Sequence, residues 1–114
     1  MLSSKNRLRK KRDINKVFKS GKTVAGRFIF IKIIANRLEN NRFAFVVSTK
    51  ISHKAVVRNK IKRQLREIIK RLEVENGFDF MIIAKPLIVG KNFQEIKQDI
   101  DEIFNFKINK IISK

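Results

Sequence analysis

Two periodicities divide this chain. Val57, Ile61, Leu65, Ile68 and Leu72 recur at steps of four, four, three and four, the apolar stripe of an amphipathic helix. Ser52 is its expected N-cap, and the helix should run to about Val74, where Asn76-Gly77 ends it. A shorter helix is predicted from about Lys11 to Lys19. There Ile14, Val17 and Phe18 stand at i, i+3 and i+4, and Gly21 is placed as a left-handed C′ residue. From Arg27 to Ala35 the period falls to two. Phe28, Phe30, Lys32 and Ile34 share one face of a strand, and Ile29, Ile31 and Ile33 share the other. Arg42 to Thr49 repeats the pattern, with Phe43, Phe45 and Val47 opposite Ala44, Val46 and Ser48. The polar run from Asn36 to Asn41 between them predicts an antiparallel hairpin.

Phe78 to Ala84 is an almost unbroken apolar run, as in a strand buried on both faces. Lys85-Pro86 ends it, and a loop leads to Asn92, which can cap a last helix with Phe93, Ile96, Ile100, Ile103 and Phe104 inward. Residues 1–10 lack periodicity and read as an extended basic arm. Lys107 to Lys114 reads as a basic tail that frays. The order α-β-β-α-β-α, with room for an extra short strand between Lys22 and Arg27, predicts one α+β domain over residues 1–114 with a small mixed sheet.

Charge changes the picture more than any single motif. The formal net charge is +18 on 114 residues. A balance this basic points to nucleic acid or an anionic membrane surface. The charge is also segregated. Between Lys54 and Arg71 there are eight Lys or Arg and one acid, Glu67, whereas Glu95, Asp99, Asp101 and Glu102 gather on the last helix. Surface helices ordinarily mix signs. Here cations begin in the first turn, at Lys54 and Arg58, where the helix dipole disfavours them. A docked polyanion would offset that repulsion. The acidic helix is expected to face away from it as a solvated surface.

The remaining chemistry is sparse. Without cysteine, disulfides and thiolate metal sites are excluded, and a reducing cytoplasm is the compatible compartment. The basic N-terminus has no apolar stretch behind it and is not expected to be a secretory signal, and no segment reaches the roughly 18 apolar residues of a membrane span. His53 is the one histidine, in a basic loop, and reads as a surface residue rather than a general base. Glu95, Asp99 and Glu102 stand at helical spacing but read as a solvated face rather than a metal site. The four glycines are isolated and form no phosphate loop. A binding protein is expected, with catalysis in a partner. All ten aromatic side chains are Phe, and a Phe platform flanked by cations suits single-stranded nucleic acid, where bases stack while the backbone follows the charge.

At Arg58-Asn59-Lys60-Ile61-Lys62-Arg63-Gln64-Leu65-Arg66-Glu67 the chain resembles the signature helix of the protein subunit of bacterial ribonuclease P. The likeness extends over most of the chain. Asn6-Arg7-Leu8 is similar to the family's opening arm, and Asp13, Val17, Phe18 and Gly21 match its first helix. Val47-Ser48-Thr49-Lys50 and Lys54-Ala55-Val56 match the strand end and the loop into the helix. Gly77-Phe78-Asp79 and Ile82-Ile83-Ala84-Lys85 match the following strand. The resemblance implies a cytoplasmic protein that joins a catalytic RNA and helps it remove the 5′ leader of precursor tRNA. The chemistry then belongs to the RNA, with Mg²⁺ held mainly by RNA and substrate and none intrinsic to the protein. It implies neither a small-molecule substrate nor a membrane partner.

By matching position, the resemblance assigns Lys54, Arg58, Asn59, Lys60, Lys62, Arg63, Arg66 and Lys70 to the RNA subunit. It assigns Phe18, Phe28, Phe30, Lys32, Arg7 and Lys11 to a cleft for the leader. It also implies a left-handed β-α-β crossover around the basic helix, against the usual right-handed rule. Two positions depart from the family pattern. Lys60 stands where a second Arg is usual, keeping the charge but losing the bidentate fork, and Ile14 stands where a Phe is common. The alternative reading of the same charge, size and fold class is a ribosomal or ribosome-assembly protein. A protein nuclease acting alone lacks a catalytic cluster.

Overall fold

The computed structural model describes residues 6–112. Helix α1 spans Lys11–Ser20, and strands β1, β2 and β3 span Lys22–Ala25, Ile29–Ala35 and Arg42–Val46. Helix α2 spans Ala55–Lys70 and strand β4 Phe78–Ala84. A 3₁₀ turn, Pro86–Ile88, leads to α3, Phe93–Glu102, which continues through a π-helical segment, Ile103–Ile108, into α4, Asn109–Ile112. The α+β class and the extra short strand are as expected. The sheet order is β1-β2-β4-β3, with β1 and β4 each antiparallel to β2 and β3 parallel to β4.

The expected β2–β3 hairpin does not form, because β4 lies between the two strands. Phe80, Met81, Ile82 and Ala84 of β4 are all buried, and only a central strand can cover both of its faces. Residues 36–41 therefore bridge across the start of β4 instead of turning back. Their amides fasten the bridge. Asn36 Nδ2 donates to Asp79 Oδ1 at 2.8 Å, Asn41 Oδ1 accepts the Phe78 N–H at 2.9 Å, and Asn41 Nδ2 donates to the Glu75 carbonyl at 2.9 Å.

The two faces of the sheet differ in size. On one, Ile29, Ile31, Ile33, Phe80 and Ile82 meet Ile61, Leu65 and Ile68 of α2, and Ile96, Ile100, Ile103, Phe104 and Ile108 of the C-terminal helices, in one continuous core. On the other, α1 contributes Val17 and the arm contributes Leu8, packed with Met81 and flanked by Ile14, Ile34, Ala44, Val46 and Ile83.

Several local expectations change. Lys54, not Ser52, is the N-cap of α2. No side chain caps its first turn, and the Ser52 hydroxyl accepts the Lys54 N–H instead. The helix ends at Lys70, and Leu72 and Val74 then pack on the core beyond it. Gly77, at φ 101°, opens β4 rather than closing the helix. Gly21 is not left-handed (φ −70°). A Cβ there would lie 2.5 Å from the Val17 carbonyl oxygen, so close approach, not positive φ, requires glycine.

The arm's described part, residues 6–10, docks rather than floating. Leu8 is buried and its N–H donates to the Phe43 carbonyl at 2.8 Å, while residues 1–5 lie outside the described residues. The tail to Ile112 is helical because Ile108 extends the Ile96, Ile100, Phe104 stripe into the core. Residues 113–114 lie outside the described residues. In α3, Asn92 and Glu95 form a reciprocal capping box. Asp99, expected on a solvated face, is buried. Its oxygens accept the N–H groups of Arg27 and Phe28, both at 2.9 Å. This carboxylate bends the chain before β2 and sends Phe28 into the large core, against the expected alternation.

Candidate nucleic-acid interface

Helix α2 presents its cations where the periodicity predicts. At about 100° per residue, Asn59, Arg63, Arg66 and Lys70 lie opposite the buried Ile61, Leu65 and Ile68, with Lys60 alongside. These five are exposed, as is Lys54, while Arg58 and Lys62 are half-buried at the helix flank. Arg58 does not point freely outward. Its Nη1 donates to the Ser52 carbonyl at 2.9 Å and fixes the loop entering the helix. With no acid and no side-chain cap in the first turn, the positive end of the helix dipole adds to the local field. Farther along, Arg71 pairs with Glu67 at 3.0 Å. The one acid of the helix is thus engaged at its far end.

The smaller face of the sheet holds a cleft of about 400 Å³. Ala44, Val46 and Met81 form its floor, and Ile14 of α1 forms one wall. Arg7, Leu8 and Arg9 of the docked arm lie beside it. Arg66 reaches it from α2 along the β3 edge, together with Phe43 and Phe45. The Arg66 guanidinium sits 5.8 Å from the centre of the Phe45 ring, within cation–π range. One side chain therefore belongs both to the basic helix and to the cleft.

Next to the cleft, on the same sheet face, lies an aromatic shelf. Strand register places Phe30 beside Ile83 and Lys32 beside Met81, which in turn neighbour Val46 and Ala44. Phe18 is 55% exposed and Phe30 38% exposed. Each ring has a lysine against it. Lys32 Nζ is 5.0 Å from the Phe18 ring centre and donates to the Phe18 carbonyl at 3.2 Å, and Lys85 Nζ is 4.5 Å from the Phe30 ring centre.

Of the residues assigned to the leader, Arg7 lines the cleft and Phe18, Phe30 and Lys32 make the shelf. Phe28 does not belong to it. The ring is 8% exposed in the opposite core, for the reason Asp99 supplies. Lys11 is exposed at the start of α1, outside the cleft lining. Sequence reasoning missed Arg9, Phe45 and Lys85. Lys85, the cation directly after an apolar strand, was the readable signal, because a residue there emerges at the sheet's end.

Arg42 holds the base of this face together. Its Nε and Nη2 donate to the two oxygens of Asp79 at 2.8 and 2.7 Å, and its Nη1 donates to Asp13 Oδ2 of α1 at 3.2 Å. Asp79 is buried and its hydrogen bonds raise the Arg42 pKa beyond its ordinary value, so the guanidinium is charged throughout the working range.

Known proteins share this architecture. The sequence model of the Ribonuclease P family matches residues 2–107. The ribonuclease P protein component of Syntrophomonas wolfei is 41% identical over 101 residues, covering 87% of this chain and 84% of that protein. The Bacillus cereus protein component is 34% identical over 116 residues, 99% of this chain and all of that protein (100%). Among solved structures, a Staphylococcus aureus RNase P protein, a mutant described as defective in mRNA degradation, superposes with a TM-score of 0.81 at 27% identity. That match covers 96% of this chain and 89% of the other. The Thermotoga maritima RNase P protein gives 0.77 at 29%, covering 85% and 93%. A basic helix opposite a core-forming stripe, a cleft beside α1 and a family match over nearly the whole length lead to one conclusion: this chain belongs to the ribonuclease P protein component family, whose role is in tRNA processing.

Proposed function

We propose that the chain is the subunit that binds the catalytic RNA of ribonuclease P through the outer face of α2, and takes the 5′ leader of precursor tRNA into the cleft and shelf beside α1. Arg66 carries this reading. It stands at the shared edge of the basic helix and the cleft, where one cation can serve both RNAs. Cations on α2 neutralise phosphates crowded between the two RNAs, and the exposed Phe18 and Phe30 offer stacking faces to unpaired bases.

The endonucleolytic step is assigned to the RNA and its Mg²⁺ ions, in the cytoplasm. The chain's four aspartates support that division. Asp13 and Asp79 hold Arg42, Asp99 holds backbone N–H groups and Asp101 holds Lys97 at 2.7 Å. Each is committed to a structural contact, which leaves the protein to bind and orient.

Reconstitution with the cognate RNA subunit tests the reading. The protein should raise precursor cleavage at low Mg²⁺ and tighten precursor binding over mature tRNA. Affinity should fall steeply with salt, and each phosphate-contacting cation removed from α2 should lower the salt slope by about one. A protein that gave no gain in precursor cleavage at low Mg²⁺ would refute the assignment.

A further inference from the structure

We propose that Arg42 is a positioning residue that sets the separation between the two walls of the leader cleft. The inference rests on the reading of that cleft as the leader site. Arg42 itself does not line the cleft. It lies beneath one end and touches both structures that form it.

The sheet wall is held through Asp79. The guanidinium fork engages both carboxylate oxygens, at 2.8 and 2.7 Å, a planar arrangement that tolerates little rotation. The helix wall is held through Asp13, at 3.2 Å. Each of these residues is close in sequence to a lining residue. Ile14 directly follows Asp13. Ala44 lies two residues after Arg42 on the same face of β3, and Met81 two after Asp79 on the same face of β4. A movement at the clamp is therefore passed to the cleft within one or two residues.

Between its ends, α1 is held by apolar contact. Its burial rests on Val17 and a small apolar cluster, and apolar contact is non-directional. A second directional tie from α1 to the sheet is at its far end, where Lys32 Nζ donates to the Phe18 carbonyl at 3.2 Å. The helix is thus tied at both ends across an apolar middle. The Asp13 tie sets the Ile14 end, beside the cleft, and the Lys32 tie sets the shelf end. A clamp needed only for stability would work as well if Asp79 alone engaged the guanidinium. The third contact reaches the one element that forms the opposite wall.

Asp13→Asn tests this, because it weakens the helix tie while leaving the Arg42–Asp79 pair in the sheet. In the reconstituted holoenzyme, the preference for precursor over mature tRNA should fall about fivefold, the scale of one partly exposed charge-assisted hydrogen bond. Affinity for the RNA subunit should not change, and Asp13→Glu should restore the preference. With the leader trimmed to one nucleotide the variant should match the parent. Spin labels on Lys16→Cys and Arg37→Cys, free of interference because the chain has no cysteine, should show a broader distance distribution in Asp13→Asn. An unchanged preference in Asp13→Asn, alongside a reduced one in Phe18→Ala, overturns the proposal and leaves the leader cleft standing. An equal loss of RNA-subunit affinity and leader preference also overturns it, since that is the mark of general destabilisation. Unchanged preference in both variants removes the leader cleft itself, and this proposal with it.

Discussion

The two faces of the sheet are built from the same strands and put to different uses. The larger is closed. Ile31, Ile82, Leu65 and Ile100 are fully buried, and three helical elements cover them. The smaller is half-covered by one ten-residue helix and a short arm, and its uncovered part is the cleft and shelf. Alternation along one strand serves both needs. In β2, Ile29, Ile31 and Ile33 supply the core, and Phe30 and Lys32 between them supply the proposed binding surface. Core and proposed recognition surface are separated by side-chain parity rather than by position along the chain.

Substitutions can break that contrast. The largest effect belongs to the closed face. Ile82→Ala, in the central strand, should cost about 4 kcal/mol in denaturant unfolding, through lost burial and a cavity the surrounding helices cannot fill. Asp99→Ala should cost about 2 kcal/mol by freeing two backbone N–H groups, with RNA affinity unchanged in filter binding. Asn92→Ala, which removes the capping box from α3, should cost about 1 kcal/mol by the same unfolding measurement. On the open face, Phe18→Ala should change stability by less than about 0.5 kcal/mol, yet reduce leader-dependent affinity. If Phe18→Ala destabilised as Ile82→Ala does, the division between the faces would be false.

Periodicity located the elements because burial imposes it. The stripe of α2, the parity of β2 and the double-sided burial of β4 were legible for that reason. Strand order was not. The Asn36–Asn41 segment has the residues of a turn, and nothing local distinguishes a turn from a bridge across an intervening strand. The deciding fact is the apolarity of both faces of β4, forty residues away. Phe28 was misplaced for a similar reason. The carboxylate that turns it lies at Asp99, and alternation knows nothing of so distant a partner. The basic face of α2 was readable because charge on an exposed helix needs no tertiary partner to be exposed. The cleft required the fold, since α1, the arm, β3, β4 and α2 each contribute to it.

The position of β4 also governs how the chain can assemble. The central strand is the last of the four to be made, and both β2 and β3 lack their main partner until residue 84 has emerged. From the end of β3 at Val46 until β4 is complete at Ala84, a nascent chain thus carries two apolar strands with open edges, a state prone to association. The pairings that close the sheet are distant in sequence, joining Ala35 to Phe78 and Arg42 to Asp79, so the chain must search for them rather than zip from a turn. Cooperative, comparatively slow closure is the consequence, with the last strand acting as the keystone that joins the local β1–β2 pair to β3.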